Sequence, residues 1–145
     1  MRKALIGLLM GVGVLSGCAS VAMVDPQRDA AAKTFVAPAD KAGLYVYRNE
    51  LIGSAVKMDV AIDGKDVGQT VAKTYLYKEV APGKHVITSS AEDTATLEVD
   101  TRPGALYYVW QEVKMGILFA RSKLHLVGEE EGRKGVLETR MIETR

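Results

Sequence analysis

The sequence predicts a mainly β protein, an antiparallel β-sandwich of about seven or eight short strands with a short C-terminal helix. Three observations predict it. From Gly43 onward, short segments rich in Val, Ile, Thr and Tyr recur at close, regular intervals. Turn signals separate them, including Asp63-Gly64, Pro82-Gly83 and Arg102-Pro103-Gly104. The helical crossovers that a parallel α/β sheet requires have no counterpart in the pattern.

The chain begins with a different kind of element. Residues 1–18 read MRKALIGLLMGVGVLSGC, with Arg2 and Lys3 ahead of an uncharged apolar run from Ala4 to Leu15. As a helix that run would rise about 18 Å, against roughly 30 Å for a bilayer core. It has the shape of a cleaved signal segment. Leu15-Ser16-Gly17-Cys18 resembles the lipobox of bacterial lipoproteins, which implies a signal peptide over residues 1–17 and acyl chains on Cys18. Cys18 is the single cysteine, so the rest of the chain can form no internal disulfide and no Cys-ligated metal site. Acylation would also occupy a thiol that is a liability in an oxidising compartment. Ala19 rather than Asp after the cysteine implies, by the same resemblance, an outer-membrane address facing the periplasm.

Residues 18–42 read as the lipidated cysteine and a tether, rich in Ala and broken by Pro26 and Pro38. Asp25-Pro26 could cap a short helix through Lys33; otherwise the stretch is expected to be flexible, reaching roughly 80 Å if drawn out. The domain proper is expected over residues 43–145. Leu44 to Tyr47 is a strand of β-formers. Val56, Met58, Val60 and Ile62 alternate with Lys57, Asp59, Ala61 and Asp63, the period of a half-buried strand. Asp63-Gly64 predicts a type I′ hairpin turn, and Lys65 to Thr70 returns. Thr74 to Val80, His85 to Ser89, Ala95 to Val99, Ala105 to Lys114 and Lys123 to Val127 complete the strands. The charged segment Glu129 to Glu143 has helical texture, but Gly132 and Gly135 each cost about 1 kcal/mol against Ala. The helix is therefore expected to begin in earnest near Val136.

The balance of 19 basic and 18 acidic residues lacks the basic excess that a nucleic-acid partner favours. Catalytic signatures are weak. Ser54 lacks the second glycine and following helix of a nucleophile elbow, and Ser89 and Ser90 read as a solvated strand end beside Glu92 and Asp93. His85 and His125 fall on separate strands without metal-ligand spacing, and read as surface residues. No metal site, cofactor or enzymatic activity is expected.

Three constellations remain. Arg48, Glu112, Lys114, Arg121 and Lys123 could pair across strands, Arg48 or Arg121 with Glu112, although charges on strands mostly face water. Tyr45, Tyr47, Tyr75, Tyr77, Tyr107, Tyr108 and Trp110 all fall on strands; half should be core, and half should form an exposed aromatic face. Met115 to Ala120 is unusually apolar for a connection. It is expected to fold over the sandwich end and cap the core, or else to be an exposed contact patch.

The runs Ile62-Asp63-Gly64-Lys65, Val67-Gly68-Gln69-Thr70 and Ala81-Pro82-Gly83-Lys84-His85 resemble a PEGA-type β-sandwich, itself immunoglobulin-like. Gly43 to Arg48, Trp110 to Gly116 and Ala120 to Lys123 resemble a group of short bacterial lipoproteins catalogued as a domain of unknown function. The likeness implies non-catalytic envelope work, such as contact with an envelope protein or glycan. Arg48, Tyr108, Trp110, Glu112, Met115, Leu118, Phe119 and Arg121 are the candidate partner-binding residues. The rival reading is a small-molecule or lipid-binding module with residues 115–121 as a lid.

Overall fold

A computed structural model of the protein describes residues 20–145. The signal segment and Cys18 lie outside the described residues. The elements are α1 (Pro26–Ala32), β1 (Ala42–Arg48), β2 (Met58–Ile62), β3 (Lys65–Thr70), β4 (Thr74–Val80), β5 (Gly83–Ser90), β6 (Thr94–Thr101), β7 (Leu106–Met115), β8 (Ala120–Val127), α2 (Glu129–Leu137) and β9 (Arg140–Met141). Two sheets face each other, one in the order β8-β7-β1-β4-β9 and the other β3-β2-β5-β6. The sandwich fits the sequence expectation. Asp63 and Gly64 both take positive φ, 51° and 78°, as the type I′ hairpin between β2 and β3 requires.

The pairing is not antiparallel throughout. The central strand β1 runs parallel to β7, with Tyr45 beside Tyr108, and β4 runs parallel to β9. All seven residues of β1 are buried, the signature of a strand covered on both faces. Leu44 and Val46 point between the sheets, where they meet Val60, Leu76, Ile87 and Val109. Tyr45 and Tyr47 point outward into a second buried cluster, beneath Phe35 and Val136.

That second cluster corrects two expectations. Register places Tyr45 opposite Tyr77 and Tyr108, and Tyr47 opposite Tyr75 and Trp110, so six of the seven aromatics share one sheet face. Tyr107 alone packs toward the inter-sheet core. The shared face is not a free tyrosine surface, because α1, Phe35 and α2 cover most of it. Helices, sheet and sheet make three layers.

Nor is the segment before β1 slack. Val21 and Met23 pack on the core, Met23 bridges Ile142, and Val24 is buried. Asp25 caps α1 by accepting from the N–H groups of Gln27 and Arg28. Asp29 then accepts from the Tyr75 hydroxyl at 2.7 Å and from Lys33 at 3.1 Å. These polar clasps, spread along an Ala-rich segment, turn the expected tether into a docked strap.

The C-terminal helix also departs from expectation. It is regular from Glu129, and its two glycines are the reason. A Cβ at Gly132 would fall within the Tyr108 ring, and one at Gly135 within the Tyr47 ring. The residues that weaken the helix in isolation are those that let it lie flat on the aromatic face.

Candidate functional site

The site is the end of the sandwich where β1 leaves and β7 turns back into β8. Arg48, the last residue of β1, is fully buried between the sheets. Its guanidinium donates to the carbonyls of Val56 at 2.9 Å, Thr70 at 3.0 Å and Gly53 at 3.3 Å. Burial draws its pKa down to about 10, opposed by nearby Glu50. Arg48 is thus neither a surface ion pair nor a partner of Glu112. It braces the loop of residues 49–57 against β3.

That loop carries Leu51 and Ile52 into solvent. Beside it, the β7–β8 hairpin ends in Gly116 to Phe119, closed by the Gly116 N–H donating to the Phe119 carbonyl at 2.9 Å. A Cβ on Gly53 would lie 2.9 Å from Val113 and 3.8 Å from the Met115 sulfur, so the two loops adjoin. Ile117 is fully exposed and Leu118 87 % exposed, with Met115 and Phe119 half-exposed. The expectation that this connection caps the core is therefore corrected. Met58, Val113 and Ala120, with Val56 and Ala91, already fill the sandwich end, so the tip is free to project.

Below the tip, the outer face of the hairpin is a ladder of cross-strand pairs: Lys114 with Arg121, Glu112 with Lys123, Trp110 with His125. His125 lies on the Trp110 indole, rings 4.8 Å apart and 24° from parallel, and meets Glu112 at 2.7 Å. The His125 contact holds the Glu112 carboxyl below its ordinary range, and Lys114 and Lys123 add to it. Arg121 lies over the Phe119 ring at 5.8 Å, not against Glu112. The hairpin gathers Trp110, Glu112, Met115, Leu118, Phe119 and Arg121 on one projecting element. Tyr108 is the exception, sealed beneath α2.

The contribution of His125 was not legible, because nothing near it in sequence marks its cross-strand partner. The cleft at the foot of the ladder was missed for the same reason. It encloses about 260 Å³ between α2 and the sheet, lined by Tyr47, Asn49, Glu50, Trp110, Glu131 and Glu138 among others. The Trp110 Nε1 is buried without a partner. Burial, with Glu131 and Glu138 adding, raises the Tyr47 hydroxyl to about 12.

The interior serines do not form an activated pair. Ser89 is buried rather than solvated. It accepts from the Gln111 amide at 2.6 Å and shares a hydrogen bond with Ser122, while Thr70 donates to Gln111 at 2.5 Å. Neutral amide and hydroxyl partners tie the two sheets together and supply no base. His85 bonds Asp63 at 2.6 Å and the Ala81 carbonyl at 2.5 Å, a clasp at the opposite end. Among the described residues, no group of three or more His, Cys, Asp or Glu side chains is placed to hold a metal ion, and no helix is long and apolar enough to cross a membrane.

Residues 38–122 match a family model described as a protein of unknown function, DUF2846. The chain belongs to this family. An uncharacterized protein of Haemophilus influenzae is 34% identical over 142 residues, covering 97% of this chain and 83% of that protein. No solved structure matches. The DUF2846 match takes in Arg48, both projecting loops and the β7 side of the ladder, while Lys123, His125, α1 and α2 lie outside it.

Proposed function

We propose that this DUF2846 protein is a non-catalytic envelope lipoprotein, acylated at Cys18 and set in the outer membrane facing the periplasm. Its sandwich contacts another envelope component, protein or glycan, through the outer face of the β7–β8 hairpin. The observation that carries the proposal is the Trp110–His125–Glu112 ladder. It presents a flat, partly exposed aromatic shelf with a fixed carboxylate, held on two paired strands rather than on a loop. Such shelves combine apolar area with oriented polar groups at low entropic cost. The lipobox-like Leu15 to Cys18 and the PEGA-like hairpin around Asp63-Gly64 support an anchored contact module rather than an enzyme.

A photoreactive residue at exposed Lys123, used in intact cells, tests this. The expected result is one discrete adduct that disappears with Trp110→Ala and weakens with Cys18→Ser. An adduct pattern indifferent to Trp110→Ala would sink the reading.

A further inference from the structure

We infer that the apolar end of the sandwich is seated in a lipid bilayer, with Ile117, Leu118 and Phe119 of the hairpin tip and Leu51 and Ile52 of the neighbouring loop entering the headgroup–acyl boundary. Exposed large apolar residues gather here: Leu51, Ile52, Met115, Ile117, Leu118 and Phe119 occupy two adjoining loops, whereas Val36, Val86, Leu126 and Leu137 are scattered. A concentrated exposed patch calls for a partner in a way that single residues do not.

Shape and charge choose lipid as that partner. The patch is convex, a four-residue tip projecting beyond a filled core, so a protein partner would need a matching cavity while a bilayer accepts a wedge of any outline. Directly behind the tip, Lys114 and Arg121 stand opposite each other across the strands. Like charges so placed repel, and an anionic headgroup layer at that height would relieve them. Lys123 lies one cross-strand pair further back, and Lys57 ends the other loop. The carboxylates at this end are engaged within the fold: Glu112 by His125 and Lys114, Glu50 by the Val113 N–H, and Asp93 by the Ser122 N–H. An apolar tip with a basic collar is the pattern of interfacial binding, where buried apolar area and attraction to anionic lipid act together.

That the tip enters the anchor's own membrane rests on acylation of Cys18; the affinity of the tip for lipid does not.

The test is a depth measurement on the full chain. Leu118→Cys, and Lys65→Cys at the opposite hairpin turn, are labelled with a nitrobenzoxadiazole fluorophore. Both are reconstituted into phosphatidylethanolamine–phosphatidylglycerol vesicles carrying doxyl-lipid quenchers. The mass of the Cys18 peptide is recorded separately, and Cys18→Ser serves as background if that thiol is free. The expected result is blue-shifted emission and lipid quenching at 118 only, lost when Ile117→Asp and Phe119→Asp are added and weakened in phosphatidylcholine alone. Equal access of aqueous iodide to 118 and 65 would overturn the inference. So would a blue shift at 118 without vesicles, which would mean a second copy of the chain covers the tip. An unmodified Cys18 mass refutes acylation without touching the quenching result.

Discussion

Arg48 directs its charge to three carbonyls from two segments, Gly53 and Val56 in the projecting loop and Thr70 at the end of β3. Replacing it with Leu leaves those acceptors without their donor, and each buried unsatisfied group costs on the order of 1–3 kcal/mol. Arg48→Leu should therefore destabilise the fold by about 3 kcal/mol in urea titration, with amide exchange rising first in residues 49–57. A loss under about 1 kcal/mol would mean that the loop holds itself. His85 makes a second prediction. Its two ring nitrogens face a carboxylate and a carbonyl, so both must donate and the ring is cationic. Burial alone would lower its pKa, but Asp63 and the Ala81 carbonyl outweigh that and raise it above its ordinary 6.5. His85 in turn lowers Asp63 below 3.8. A raised base stabilises below its unfolded pKa and loses that contribution as pH climbs through the folded one; a lowered acid does the reverse. The stability gap between wild type and His85→Asn should be widest between 3.8 and 6.5, narrowing as pH rises through the His85 value or falls through that of Asp63. A gap that does not vary with pH would refute the charged pair. Neither residue's role was legible: sequence marks Arg48 and His85 as charges on strands, and only the third dimension supplies carbonyls to one and a carboxylate to the other.

At the scale of elements, intrinsic propensity and packing disagree at α2, and packing wins. In an exposed helix Gly→Ala gains about 1 kcal/mol. Here Gly135→Ala would drive a methyl into the Tyr47 ring, and overpacking of that kind costs about 1–3 kcal/mol. The sign of the change, read by thermal denaturation, decides whether α2 lies where it is described; a stabilised Gly135→Ala would mean that it does not. α1 supplies the complementary case, a helix with no buried residue of its own that is held by side-chain clasps. Asp29→Ala removes the bonds to Tyr75, Lys33 and the Met141 N–H together. It should expose α1 to rapid amide exchange while β1 and β4 stay protected; unchanged protection of α1 would show that the clasps are incidental. The strands were legible because alternation and turn residues are local signals, as the β2–β3 hairpin shows. The helices were not, since glycine spacing and an Ala-rich run acquire meaning only against the aromatic face they cover.

For the molecule as a whole, the sandwich followed from local pattern, but the projection of its hairpin tip and the sheet order did not. β1 reads like any other strand, yet it lies at the centre of five, parallel to a strand sixty or so residues later. That placement puts Tyr45, Tyr47, Tyr75 and Tyr108 on one face and makes a third layer necessary. The docked strap has a further consequence. With the chain secured from Val21, the free length between an acylated Cys18 and the domain shrinks from roughly 80 Å to about 10 Å. On the acylation of Cys18 proposed above, so short a lead would confine the search for partners to two dimensions, and encounter would be governed by the number of partners per unit area of membrane rather than per unit volume.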